Sequence, residues 1–169
     1  MLVLGATHLH ATDPELDVRL PDGRVLEMED AVREELLVVP AEGAVGSRRD
    51  LGDQEGGRVQ GTEEAAIHPD LKLSPGTTII SKAMNPDREA YSGFEGTDLT
   101  QQLREKGVKQ VFVGGLATDY CVKNTVLDAL KEGFETVLLT DAVRGVESRD
   151  SKRAVKEMVS RGAELGLLG

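Results

Sequence analysis

From about residue 77 onward, short apolar runs alternate with stretches in which apolar residues return every three or four positions. Thr77-Thr-Ile-Ile-Ser81, Gln110 to Gly114 and Thr136-Val-Leu-Leu-Thr140 have the length and β-branched content of buried strands. Asp98 to Glu105, about Tyr120 to Lys131 and about Arg149 to Ser160 carry the helical period. The order β-α-β-α-β-α predicts an α/β fold with a parallel sheet covered by helices on both faces. Gly107, Gly133 and Gly162 each stand just past a helical segment, where a left-handed C-cap is needed. Glu164-Leu-Gly-Leu-Leu168 adds one edge strand.

The first 70 residues are less regular. Leu2-Val-Leu-Gly-Ala6 and Leu36-Leu-Val-Val-Pro40 have the pattern of buried strands, with a weak helix from about Glu27 to Glu35 between them. Arg19-Leu-Pro-Asp-Gly-Arg-Val25 carries an Asp-Gly hairpin turn. Between Glu42 and Glu64 the chain is rich in glycine and charge, which predicts a long solvated loop with no partner implied. The 169 residues suit one domain, 1–169, whose core buries roughly two-thirds of the unfolded surface, with a poorly patterned part at about 1–58.

Charge and composition narrow the function classes. A formal net charge of −10 argues against a nucleic-acid footprint or an anionic membrane surface, since both need clustered Lys and Arg. No apolar run approaches the roughly 18 residues of a membrane span, and Met1-Leu-Val-Leu-Gly-Ala-Thr7 is too short and uncharged for a secretory signal. A single cysteine cannot form an internal disulfide, so a reducing, cytoplasmic setting is expected. Trp is absent and aromatics are 3% of the chain, so the core must be mainly Val, Leu, Ile and Ala.

That cysteine, Cys121, follows an apolar run and a Gly-Gly break, and opens a helical pattern. Unpaired backbone N–H groups and the positive end of a helix dipole favour the thiolate at such a place. Ligands of open α/β sheets bind beyond the carboxyl ends of the strands. Lys82 ends one strand and Cys121 lies on the turn after another, so neighbouring parallel strands would bring both to one rim. An ammonium there stabilises a thiolate, and N–H groups of the Ala117 to Cys121 turn would hold an oxyanion. Together these residues point to thiol-based acyl transfer on a small molecule; a base is missing.

Three segments in order, Ile79-Ile-Ser-Lys-Ala-Met-Asn-Pro-Asp87, Glu89-Ala-Tyr-Ser-Gly-Phe-Glu-Gly-Thr-Asp98 and Gly115-Leu-Ala-Thr-Asp-Tyr-Cys-Val122, resemble the nicotinamidase branch of the isochorismatase-like cysteine hydrolases. The resemblance runs from about Val59 to the C-terminus. It implies a three-layer α/β/α sandwich with a mostly parallel, doubly wound sheet, and a cysteine amidohydrolase turning nicotinamide into nicotinate and ammonia through a thioester. It implies a Cys-Lys-Asp triad with Cys121 as nucleophile and Lys82 as the lysine, a cis Leu116–Ala117 peptide, and an oxyanion hole from the amides of Ala117 and Cys121. Self-association as a homo-oligomer is a further implication, as is a divalent metal (zinc, iron or manganese).

The chain departs from the family at its start. The triad Asp belongs at the end of the first strand, where this chain has Leu2-Val-Leu-Gly-Ala-Thr-His-Leu-His10. A metal-binding His of the family falls at Gly57, and the family's Asp-Trp-His segment is not found, so the metal ligands look absent. Divergence that keeps the strands, a rebuilt or frame-shifted segment, and loss of activity each account for this; the strand spacing favours the first. Asp13 and Asp17, just past the first strand, are the candidates for a replacement base. His8 and His10 share one face of an extended strand and, with Asp13, would make a three-ligand metal site; plain surface is the simpler account of both histidines, and His68 is a loop residue. Tyr91 and Phe94 either wall an aromatic substrate or plug the core. Thr118 and Asp119 are expected to cap the helix that follows. An isochorismatase-type or ureido-type hydrolase and a non-catalytic member of the fold are the competing functions.

Overall fold

Where apolar runs and helical periods alternate most clearly, the elements form in the expected order. The computed structural model of the protein describes residues 2–8, 18–19, 25–26, 31–40, 77–82 and 90–167. The elements are β1 (Leu2–His8), β2 (Val18–Arg19), β3 (Val25–Leu26), β4 (Ala31–Pro40), β5 (Thr78–Lys82), α1 (Leu99–Glu105) and β6 (Gln110–Leu116). A π-helical turn (Thr118–Val122) then runs into α2 (Lys123–Lys131), followed by β7 (Glu135–Arg144), α3 (Ser148–Ser160) and β8 (Glu164–Gly166). Gly107, Gly133 and Gly162 take the positive φ of 70°, 89° and 110° that a helix stop requires.

Six strands form one sheet in the order β5-β4-β1-β6-β7-β8, and β2 pairs with β3 as a separate hairpin. The β4–β5, β6–β7 and β7–β8 pairs are parallel. β1 differs from the parallel expectation, because it runs antiparallel to both β4 and β6. The helix expected over 27–35 is also corrected. Ala31 through Glu35 pair with His8 through Leu4 as the first half of β4. A short segment of weak helical period gains little on its own, and a ladder against a long strand outweighs it; residues 27–30 lie outside the described residues. So do the Asp22-Gly23 turn and the 42–64 loop.

The path β5-α1-β6-α2-β7-α3-β8 advances in one direction across the sheet, so right-handed crossovers put the three helices on one face. Leu99 and Leu103 of α1, Val126 and Ala129 of α2, and Ala154 and Met158 of α3 share one buried cluster with Val111, Val113 and Leu138 of the sheet. Phe112, Val137 and Leu139, alternating to the opposite face, are buried as well. Among the described residues no helix covers that face, where a second helical layer is expected.

Candidate active site

The setting of Cys121 begins with glycine. A Cβ on Gly114 would stand 3.2 Å from the Ala142 carbonyl oxygen and 3.3 Å from its Cβ, so β7 can crowd β6 here only because that carbon is missing. Between Val113 and Gly115 the β6–β7 register shifts, and Gly115 has a φ of 114°. The strand then leaves the sheet through a cis Leu116–Ala117 peptide. The Ala117 carbonyl accepts both the Tyr120 and the Val122 N–H, each at 3.1 Å. The second of these spans five residues and makes the turn π-helical, with Cys121 inside it. The Cys121 amide is not part of that pair of bonds. Helical structure thus starts two residues earlier than the apolar period suggests, at Thr118. Cys121 itself is half-buried and free.

Lys82 reaches this turn from the end of β5. It is 4% exposed, and a buried ammonium must be paired. Its Nζ donates to the Ala90 carbonyl at 2.8 Å, to the Tyr91 carbonyl at 2.9 Å and to Cys121 Sγ at 3.4 Å. An ammonium has three protons and a neutral amine two, so three acceptors suit the charged form, with sulfur as the third partner. The expectation of neighbouring strands is corrected: β4 and β1 stand between β5 and β6. Because both are antiparallel to the same β1, β4 and β6 run in one direction and their carboxyl ends share a rim. The gap of three strand spacings, about 14 Å, is closed by the long lysine side chain and by the chain beyond Leu116. Among the described residues no carboxylate bonds to Lys82 or to Cys121.

Asp119 has a different role from the cap expected of it. The turn has no side-chain cap bond. The Asp119 carboxylate instead accepts the Val146 N–H at 3.1 Å and the Glu147 N–H at 3.2 Å, tying the turn to the start of α3. Thr118 is buried within the turn, 3% exposed, and does not cap it either. Gly145 permits the tie, since a Cβ there would collide with Ser151 and stand 3.0 Å from Asp119 Oδ1. Neither contact is visible in the sequence, where Asp119 has the composition of a cap.

The two aromatic candidates separate. Tyr91 packs against Tyr120 with ring centroids 6.0 Å apart, and both line a cavity of 260 Å³ together with Asp119, Lys123, Asn124 and Arg153. Phe94 stacks on Phe134 at 6.2 Å and packs on the apolar cluster, so it serves the core, as its size and the shortage of aromatics favour. Asp13, Asp17, His10, His68 and Gly57 lie outside the described residues. His8 ends β1, and since Leu2 pairs with Gly114 while Ala6 pairs with Gln110, it stands at the rim opposite to Cys121. Among the described residues no three His, Cys, Asp or Glu side chains gather as ligands for a metal. No described helix is long and apolar enough to cross a membrane.

The family model described as Isochorismatase domain matches residues 33–167. The nicotinamidase of Escherichia coli (strain K12) is 41% identical over 115 residues, covering 63% of this chain and 54% of that protein. The nicotinamidase/pyrazinamidase of Mycobacterium tuberculosis is 39% identical over 112 residues, covering 63% of this chain and 59% of that protein. The chain therefore spans about half the length of the curated relatives it matches. A solved structure, the pyrazinamidase of Pyrococcus horikoshii in complex with zinc, superposes with a TM-score of 0.67 at 47% identity, covering 77% of this chain and 72% of that one. On a match that takes in most of its length, this chain belongs to the isochorismatase family.

Proposed function

We propose that the protein is a cysteine amidohydrolase that converts nicotinamide to nicotinate and ammonia. The observation that carries this is the Lys82 ammonium held 3.4 Å from the Cys121 sulfur; the nicotinamidases and pyrazinamidases among its relatives support the choice of a small aromatic amide. The Cys121 thiolate attacks the amide carbon, and a C–S bond forms as the carbonyl electrons move to oxygen. The amides of Ala117 and Cys121 are the donors for that oxyanion. Collapse breaks the C–N bond, and Lys82 gives its proton to the departing nitrogen, which leaves as ammonia. A water then gives a proton back to Lys82 and adds to the thioester carbon; the thiolate departs, and the acid loses its proton as nicotinate.

Tyr91 is the candidate aromatic wall for the substrate ring; it packs on Tyr120, and the cavity that both line does not reach Cys121 or Lys82. A divalent metal belongs to this reading only at the level of the family, and the described residues offer no donor set for one. A catalytically impaired member of the fold is the second reading. It is favoured by the finding that no described carboxylate touches the thiol or the ammonium, since positioned proton transfer contributes about 10²- to 10⁴-fold.

Ammonia release from nicotinamide by the parent protein and by Cys121→Ala separates the two. Release that disappears in Cys121→Ala supports the hydrolase; equal background release from both leaves the impaired member standing. A panel of ureido compounds and isochorismate run beside nicotinamide tests the substrate class.

A further inference from the structure

The bonds that hold Lys82 close into a circuit through a residue with no part in the steps above. Thr125 lies one helical turn after Cys121 and is fully buried. Its Oγ1 accepts the Gly93 N–H at 2.8 Å. Gly93 ends the short stretch whose Ala90 and Tyr91 carbonyls take two of the three Lys82 protons, and the third proton goes to Cys121 Sγ. From Cys121 along the helix to Thr125, across to Gly93, back to the two carbonyls and through Lys82, the path returns to the sulfur.

Other bonds shape the 90–98 loop internally. The Thr97 hydroxyl donates to the Gly93 carbonyl at 2.6 Å, and the Phe94 N–H donates to Ser92 Oγ at 3.1 Å. The Thr125 bond joins this loop to the nucleophile's own helix. A lysine has a flexible four-carbon stem, so its carbonyl partners decide where the ammonium stands. Valine has the same shape and a more apolar surface for a fully buried helix position, so a hydroxyl there needs a reason, and the Gly93 N–H supplies one.

We infer that Thr125 is a positioning residue: its hydroxyl fixes the loop carbonyls that hold Lys82 against the Cys121 sulfur. The effect on turnover rests on the amidohydrolase reading; the effect on thiol reactivity does not.

The test compares the full chain with Thr125→Val and Thr125→Ser, at a temperature well below the unfolding midpoint of each. Cys121 alkylation by iodoacetamide at neutral pH, and kcat and KM for nicotinamide, are measured. Thr125→Val is expected to slow both alkylation and kcat by about tenfold, with KM within about twofold of the parent, because the loss acts on the reacting pair. Thr125→Ser keeps the acceptor and is expected to recover both rates. Alkylation of a folded Thr125→Val at the parent rate overturns the inference, and so does a Thr125→Ser as slow as Thr125→Val. Should Thr125→Val fail to fold, Thr125→Ser decides alone: parent-like labelling supports the role and slowed labelling overturns it. A parent protein that labels readily yet releases no ammonia sinks the choice of nicotinamide, while the labelling comparison still judges Thr125.

Discussion

At the scale of single residues, the contact of Lys82 with Cys121 is a matter of one proton count. Lys82 has three protons and, among the described residues, three acceptors, of which two are backbone carbonyls and the last is sulfur. Lys82→Met removes the cation from beside Cys121 while keeping a stem of similar length. Without that partner at the sulfur, iodoacetamide labelling of Cys121 at neutral pH should fall by about tenfold. Labelling of Lys82→Met at the parent rate contradicts the pairing. The sequence made Cys121 and Lys82 legible because a lone cysteine at a helix start and a lysine at a strand end sit where the fold gathers ligands. Thr125 was not legible. A threonine on an apolar helix face reads as packing until the loop that it binds is in place.

At the scale of elements, the turn around Cys121 is braced by contacts that the local pattern does not encode. Asp119 accepts two N–H groups at the start of α3, and Gly145 leaves room for it. Asp119→Ala deletes both acceptors, and a loss of about 1–3 kcal/mol is expected in denaturant unfolding. Gly145→Ala drives a methyl into Ser151 and toward Asp119, and a comparable loss of about 1–3 kcal/mol is expected for such overpacking. If both variants unfold at the parent midpoint, the brace is not structural. Helices α2 and α3 and strands β6 and β7 were foreseeable to within a few residues from their periods and their glycine stops. The segment now in β4 was not, because its first five residues carry helical spacing, and only pairing with β1 overrules it.

At the scale of the whole molecule, one apolar cluster ties the helices to the sheet. Leu138 is fully buried at its centre in β7, and Leu138→Ala is expected to cost about 2–5 kcal/mol in the same unfolding experiment. A cost under 1 kcal/mol would mean that this cluster is not the core. The alternation of periods from residue 77 onward determined the α/β class, the helix stops and the two residues from which thiol chemistry is argued, because each is a local property of spacing or residue type. Tertiary structure alone decided that β1 runs antiparallel to its neighbours, that β5 and β6 are separated by two strands, and that Lys82 nonetheless meets Cys121. It also turned Asp119 from a cap into a brace and Phe94 from a candidate substrate wall into core. The physical reason is common to all of these: strand direction, sheet order and buried hydrogen bonds join residues far apart in the chain. Which partner wins depends on the whole set of competing contacts, and local spacing carries no record of that competition.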